Sequence, residues 1–220
     1  MNSKSPNIFT IIMRPTFLLS LFLSFFNDIR SASASGTTRY VKSNGVISGS
    51  CNGWGSACEL SYVLNSIAVS GDQIWVQAGI YKPTGSTDRT ISFTLKNGVA
   101  IYGGFNGTET SLNQRNPASN VAILSGEIGV VGSSDNTLHV VVGSGTNNTA
   151  ILDGFTITAG NASNDKGGGM WNYTGSPTLM NLIFNANSAQ YGGGLYNENS
   201  SNPTLINVIF SNNQTNSNSG

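Results

Sequence analysis

The sequence predicts an all-β fold of the β-solenoid type, in which short strands wind around an interior and each turn stacks on the one before. The stretch GGGMWN at 167–172 returns as GGGLYN at 192–197. The segments around both copies are short, rich in β-branched and aromatic residues, and bounded by Gly, Pro, Asn and Ser. Helix pairs and leucine-rich repeats have similar periods, but the chain lacks capped helical spacing after about Ser70 and lacks dense leucines.

The repeat extends beyond the glycines into the segments SPTLMNLIFNANSAQY and NPTLINVIFSNNQT. Five residue pairs lie 26 positions apart: Pro177 with Pro203, Leu179 with Leu205, Asn181 with Asn207, Phe184 with Phe210, and Asn187 with Asn213. The glycine runs are 25 apart, which places a one-residue insertion in the turn between glycines and proline. The unit is therefore one supersecondary module.

Stacking in register predicts what the repeated side chains do. Successive strands lie about 4.8 Å apart, so like side chains meet along a column. We expect Phe184 and Phe210 to fill the interior, and Asn181 and Asn207 to share amide hydrogen bonds in a ladder. Asn187 and Asn213 form a second repeated Asn pair.

Alternation along each strand separates inward from outward residues. It places Met170 and Leu195 inward, and Trp171 and Tyr196 outward. The two outward aromatics are one turn apart, where they either stack against sugar rings or simply pack on each other across the strands. We interpret the two residues as a plain aromatic pair across the strands and keep glycan stacking at Trp171 and Tyr196 as the alternative.

Degenerate copies precede the clear ones. LDGFTITAGNA at 152–162 aligns with LMNLIFNANSA at 179–189, which sets Gly154 in the column of Asn181 and Ile157 in that of Phe184. A weaker similarity links AILSGEIG, starting at Ala122, to AILDGFTI, starting at Ala150, with a spacing of 28. This second alignment predicts that Asp153 stacks over Ser125.

Residues 1–34 have the layout of a signal peptide. Lys4 and Arg14 precede an apolar run at 17–26, and an Ala-x-Ala follows at 32–34. The apolar run is too short for a transmembrane helix, and no other run approaches the required length of about 20 residues. We expect the mature chain to be exported.

Residues 35–71 read as an N-terminal cap. Cys51 and Cys58 enclose a short glycine-rich loop, for which a local disulfide is favoured over free thiols in an exported protein. Zinc would need more ligands nearby, so no metal is expected. An amphipathic helix follows, ending at Gly71 as a C-cap, and its shared apolar face comprises Leu60, Val63, Leu64, Ile67 and Ala68. This helix would cover the first turn of the solenoid, whose turns occupy 72–220.

Charge narrows the range of partners. The net charge is zero and only 9% of residues are charged. This composition argues against nucleic acid as a partner and provides no polybasic membrane patch.

Several segments together resemble a known family. GDQIWVQAGIYKPT, KNGVAIYGGFNGTETSLNQRNP, LDGFTITAGNA and the two glycine-rich units are similar to large bacterial surface proteins with right-handed parallel β-helix repeats. GGGM, GGGL, FNAN and FSNN resemble the GGA[ILVY] and FxxN motifs of polymorphic outer-membrane proteins, although Gly replaces the third-position Ala. The resemblance runs from about Thr38 to the end. It implies a right-handed parallel β-helix with a short N-terminal capping helix, secreted or associated with the outer membrane, with an adhesive or structural role. We also expect the solenoid to continue downstream of Gly220.

Enzymes are the alternative, because polysaccharide lyases and hydrolases use the same pectin-lyase-like solenoid. Lyase chemistry needs a basic residue and usually Ca²⁺, yet Lys166 is the only Lys or Arg after Asn116. Glycoside hydrolysis needs two carboxyls about 5 to 9.5 Å apart, and the alignment places no two acids in one column. The candidate acids are Glu127, Asp135, Asp153 and Asp165.

His139, in LHVVV, is interpreted as a strand residue rather than a base, for want of a partnered nucleophile. We therefore predict no catalytic residue, no metal and no cofactor. The predicted function is an exported cell-surface module with an adhesive or structural, non-catalytic role, and glycans or a cell surface are its candidate partners.

Overall fold

The computed structural model describes residues 36–216, so the predicted signal peptide at 1–34 lies outside the described residues. Within this range the protein is all-β, and its strands pair in parallel. No helix in residues 36–216 is long and apolar enough to cross a membrane. The helical segments are short turns at Trp54–Ser56, Leu60–Tyr62, Val63–Ile67 and Leu112–Gln114.

The strands are short throughout, as predicted from the β-branched segments bounded by Gly, Pro, Asn and Ser. In chain order they are β1 Thr38–Val46, β2 Gln73–Gln77, β3 Gly79–Tyr81, β4 Phe93–Thr94, β5 Ala100–Phe105, β6 Ala122–Ser125, β7 Val141–Val142, β8 Ile151–Asp153, β9 Phe155–Thr158, β10 Asn161–Lys166, β11 Met170–Tyr173, β12 Thr178–Asn185, β13 Ser188–Tyr191, β14 Leu195–Glu198, β15 Thr204–Ser211 and β16 Gln214–Thr215.

These strands form three sheets. The first sheet runs β1-β2-β5-β8-β12-β9-β6-β3, with β15 on the free side of β12; the second runs β14-β11-β7-β4, and the third β10-β13-β16. From β9 onward the chain visits the first, third and second sheets in that order and then repeats the cycle. Each repeat unit therefore supplies one strand to each sheet.

The register confirms the 26-residue repeat. Leu179 pairs with Leu205 and Phe184 with Phe210, while Trp171 pairs with Tyr196 at the 25-residue spacing of the glycine runs. The earlier copy is also confirmed, because Phe184 pairs with Ile157.

The alignment of Ala122 with Ala150 is wrong. Ala122 pairs with Phe155 instead, and Asp153 lies between Tyr102 and Met180 rather than over Ser125. The two Ala-Ile-Leu segments look alike because both alternate buried and half-buried residues. They belong to different strands, since β8 pairs with β5 and β12 whereas β6 pairs with β3 and β9.

The interior of the sheets is filled by apolar side chains with almost no exposure. In the repeats these are Leu152, Ile157, Met170, Leu179, Leu182 and Phe184. At the N-terminal side, Leu60, Val63 and Leu64 from the helical turns join the same core as β1 and β2. The predicted amphipathic segment thus buries its apolar face.

The helical segment ends earlier than its predicted cap at Gly71. Its last turn closes when the N–H of Ala68 donates to the carbonyl of Val63 at 2.9 Å, and Ala68 then adopts an extended conformation. Gly71, with φ of 98°, serves the turn into β2, where its N–H donates to the carbonyl of Gly98 at 2.7 Å.

The glycine runs let neighbouring repeats approach closely. Gly167 has φ of 69°, a left-handed conformation that favours glycine. A Cβ on the next residue, Gly168, would lie 2.2 Å from the carbonyl oxygen of Ser188. The first glycine therefore makes the bend and the second makes room for the adjacent turn.

The disulfide between Cys51 and Cys58 is confirmed. Both cysteines are buried, and the loop that they close carries Trp54. The Trp54 ring packs at 4.8 Å from Tyr40 and 5.6 Å from Phe105, and its indole N–H donates to the carbonyl of Glu109 at 2.9 Å. The disulfide loop thus covers part of the outer surface of the first sheet.

Candidate functional site

The outer surface of the second sheet carries a group of aromatic and charged side chains, here called the aromatic face. Its strands are β11 and β14, flanked by the residues just before β7 and by the end of β10. The aromatic face comprises His139, Asp165, Lys166, Trp171, Tyr173, Tyr196 and Glu198.

Alternation along β11 sends its aromatic residues outward. Met170 and Asn172 are fully buried, which leaves Trp171 and Tyr173 on the opposite side. Trp171 is half-buried, whereas 44% of Tyr173 is exposed. Their ring centroids are 6.1 Å apart, so they form a continuous aromatic surface along the strand.

His139 lies against this surface. Its ring stacks on Trp171 with centroids 5.2 Å apart and planes 29° from parallel. Nδ1 is 3.0 Å from the backbone carbonyl oxygen of Gly167, and Nε2 is 4.0 Å from Oδ2 of Asp165. The imidazole is thereby fixed in orientation against the face of the indole.

An ion pair borders Tyr196. Lys166 Nζ lies 2.6 Å from Oε1 of Glu198 and 5.2 Å from the centroid of the Tyr196 ring. The hydrogen bond between the two groups raises the pKa of Lys166 and lowers the pKa of Glu198. These two charges compensate each other, which leaves Asp165 as the carboxylate of the aromatic face without a lysine partner.

The structure brings together Trp171 and Tyr196, the predicted aromatic pair and alternative glycan-stacking pair, as direct partners in register. Each is half-buried, because His139 packs on Trp171 and Lys166 lies over Tyr196. Sequence reasoning missed Tyr173, although it follows Trp171 by two residues on the same strand and alternation places it outward. His139 carried no usable signal, since its contact with Trp171 joins segments that lie far apart in the sequence.

The residues predicted to form structural columns lie away from the aromatic face. The rings of Phe184 and Phe210 stack 4.9 Å apart with planes 8° from parallel. Asn187 is 1% exposed; its amide donates to Ile157 O at 2.9 Å and to Asn213 Oδ1 at 3.0 Å. It also accepts from Gly160 N at 3.0 Å, so it ties together three successive bends.

The Asn181 and Asn207 column is exposed. Asn207 Nδ2 donates to Asn181 Oδ1 at 2.8 Å, and Asn181 Nδ2 donates to Asp153 Oδ1 at 2.8 Å. Gly154, Asn181 and Asn207 all have positive φ, from 49° to 84°. The column therefore marks a bend in the first sheet that needs a left-handed residue.

Asp153, a candidate acid, is held inside a polar contact network. It is 2% exposed and pairs with Arg115 at 2.5 Å. Arg115 also donates to Gly103 O at 3.1 Å and lies 5.2 Å from the centre of the Tyr102 ring. Sequence reasoning missed Arg115 because it comes from a loop 38 residues before its partner. A groove of about 520 Å³ opens beside this pair, with Pro117 and Ile183 in its lining.

Glu127 and Asp135 serve a surface loop. Glu127 Oε1 accepts from Gly132 N at 2.9 Å, and Asp135 Oδ2 accepts from Val130 N at 2.8 Å. Within residues 36–216, no three or more His, Cys, Asp or Glu side chains are grouped as a metal ion would require. These acids are used in local structure.

No protein-family model, curated protein or solved structure matches this chain. The fold and the aromatic face together define an all-β protein of parallel, repeating strands with an aromatic outer surface.

Proposed function

We propose that this chain is an exported cell-surface module that binds glycans on the aromatic face without cleaving them, and that its strands form a right-handed parallel β-helix. The observation that carries the proposal is the outward set of Trp171, Tyr173 and Tyr196 on two neighbouring strands. Sugars present apolar C–H faces to aromatic rings, and polar groups at the rim fix their hydroxyls.

The proposed β-helix is supported by register. Strands that lie one repeat apart pair in parallel in the first and second sheets, as in Leu152 with Leu179, Leu179 with Leu205, and Trp171 with Tyr196. The regular order in which the chain visits the three sheets supports a winding path. A right-handed winding follows from the strong preference of parallel crossover connections for that hand.

The exposure of Tyr173 makes it the main contact in this proposal. With 44% of the residue exposed, its ring is open to a ligand, whereas Trp171 and Tyr196 are each partly covered. A sugar resting on Tyr173 would reach the edge of Trp171, and Lys166 with Glu198 would form a polar rim beside Tyr196.

The engagement of the acids supports a non-catalytic role. A glycosidase needs one carboxyl poised to donate a proton and a second one across the bond. Asp153 is paired with Arg115, Glu198 with Lys166, and Glu127 accepts a backbone N–H. Such fixed partners suit structure better than proton transfer.

Location at a cell surface follows from the predicted signal peptide and from the resemblance to bacterial β-helix surface proteins. The disulfide between Cys51 and Cys58 fits an oxidising compartment outside the cytoplasm. Adhesion to glycans is the corresponding role.

The test is binding of the purified protein to an array of neutral and acidic glycans, with Trp171→Ala, Tyr173→Ala and the control Tyr62→Ala. Tyr62 is half-buried in the N-terminal helical turns, where its hydroxyl donates to the carbonyl of Gly49, so it matches Tyr173 in chemistry but not in place. Loss of a sugar stack should weaken binding about tenfold, on the scale known for bases on aromatic rings.

Equal binding by all three variants and the parent would contradict the assignment of the aromatic face. Released sugar is measured in the same samples. Release that disappears in Asp153→Asn, in a protein that still folds, would overturn the non-catalytic part of the proposal.

A further inference from the structure

We infer that His139 and Asp165 form a pair of hydrogen-bond acceptors that selects neutral glycans with two adjacent free hydroxyls. The inference rests on the proposed glycan-binding function and names the ligand class of the same aromatic face. It assigns a hydrogen-bonding role to His139 and Asp165, which do not stack on the sugar.

The first acceptor is Nε2 of His139. Nδ1 lies 3.0 Å from the carbonyl oxygen of Gly167, and a carbonyl oxygen only accepts hydrogen bonds. The hydrogen of the neutral imidazole is therefore on Nδ1, and Nε2 carries the lone pair. Stacking on Trp171 fixes the ring plane, so this lone pair has a defined direction.

The second acceptor is the carboxylate of Asp165. Its Oδ1 accepts from the backbone N–H of Lys166 at 2.8 Å, while its Oδ2 faces His139 Nε2 at 4.0 Å. The side chain is 52% exposed, so the carboxylate is open to a ligand. Lys166 is engaged by Glu198 at 2.6 Å and does not bridge Asp165 to the histidine.

Two neighbouring acceptors, neither of which carries a hydrogen, can both be satisfied by a ligand that brings two donors. Nε2 of His139 and Oδ2 of Asp165 are 4.0 Å apart, which is too far for a hydrogen bond between them. Two ligand hydroxyls can each donate to one of these atoms at a normal distance of about 2.7 to 2.8 Å. Adjacent hydroxyls on a sugar ring provide this arrangement. The same sugar would then rest its C–H face against Trp171 and Tyr173.

The pair also discriminates against other glycans. A sugar substituted at one of the two positions leaves an acceptor without a donor, which costs binding free energy. An acidic sugar places its carboxylate near that of Asp165, and the two like charges repel. Neutral sugars with a free vicinal diol remain as the favoured class.

Dextran provides a direct test, because its residues carry adjacent free hydroxyls, and periodate breaks the carbon–carbon bond between them. We expect the protein to bind immobilised dextran, and to bind it at least about tenfold more weakly after periodate oxidation and borohydride reduction. That treatment also opens the sugar ring and removes its C–H face. A linear β-1,3-glucan keeps its rings closed while its internal residues lack adjacent free hydroxyls, and it should also bind at least about tenfold more weakly than dextran.

Variants connect this selectivity to the two acceptors. His139→Phe keeps a ring on Trp171 but removes Nε2, and Asp165→Ala removes an exposed carboxylate. Each should reduce dextran binding about tenfold and abolish the preference for dextran over the β-1,3-glucan. Asp88→Ala, at an exposed aspartate on another loop, is the control and should bind normally. Thermal unfolding of each variant establishes that it folds.

The outcomes separate the two proposals. Binding to glycans that is lost in Tyr173→Ala, but is equally strong for dextran and the β-1,3-glucan and is unchanged by Asp165→Ala, overturns the acceptor pair and leaves the proposed function standing. Binding to acidic glycans alone, or to other glycans but not to dextran, also overturns it. Absence of binding to any glycan overturns both.

Discussion

The region before about residue 150 and the repeats after it are built from the same parallel strands but are stabilised differently. In the first region the spacing between paired strands varies: Gln73 pairs with Ala100, whereas Ala100 pairs with Ile151, which lies almost twice as far along the chain. In the second region the spacing stays close to one repeat length, as for Leu152 with Leu179 and Leu179 with Leu205. Regular spacing lets like side chains stack, and irregular spacing does not.

The irregular region instead relies on contacts that occur once. The disulfide between Cys51 and Cys58 anchors Trp54 over the outer surface, and Arg39 pairs with the buried Asp72 at 3.1 Å. The repeats use columns, such as Phe184 on Phe210. A one-time contact has no neighbouring copy to replace it, whereas a column distributes stabilisation over successive turns.

The largest change in the free energy of unfolding is expected in the repeats, where Phe184 stacks on Phe210. Phe184→Ala removes a fully buried ring and should lower the free energy of unfolding by about 3 to 5 kcal/mol. Phe210→Ala, at a residue 46% exposed, is the matched variant and should cost less than half as much. Chemical denaturation measures both, and equal losses would contradict the different burial of the two rings.

A smaller loss of stability is expected when the disulfide is removed from the irregular region. Replacing Cys51 and Cys58 together by Ser opens a loop with a sequence separation of 7 and should cost about 2 to 3 kcal/mol. Amide exchange should speed up around Trp54 and β1 first, because the loop packs there. Uniform acceleration across the repeats would show instead that the two regions unfold as one unit.

The smallest change in the free energy of unfolding is expected in the column of Asn181 and Asn207. Asn181→Gly loses one part-buried and one exposed hydrogen bond but keeps the left-handed backbone, as Gly154 does at the equivalent position. We expect a loss below about 1 kcal/mol. Asn181→Val must adopt φ near 49° with a β-branched side chain and should cost more. A larger loss for Gly than for Val would mean that the ladder, not the bend, determines the residue.

The repeats were predictable because one copy explains another. Phe184, Asn187 and Asn181 could be paired with their partners by spacing alone, and the Cys51 to Cys58 disulfide followed from a short loop. Arg115 and His139 could not be paired with Asp153 and Trp171, since those contacts join segments separated by loops of unrelated length. The false match of Ala122 with Ala150 shows the limit, because similar burial produced similar residues in strands that do not pair.

In the proposed β-helix, the constant register of the repeats makes the length of the molecule adjustable in fixed steps. Because residues 178–203 contribute one strand to each sheet and end where the next copy begins, an in-frame duplication of that segment would add one layer. The added layer would be about 4.8 Å high and would bring its own phenylalanine, asparagines and glycines. A genetic change as simple as unequal recombination could thus move a surface such as the aromatic face along the axis in discrete increments, without redesign of the core.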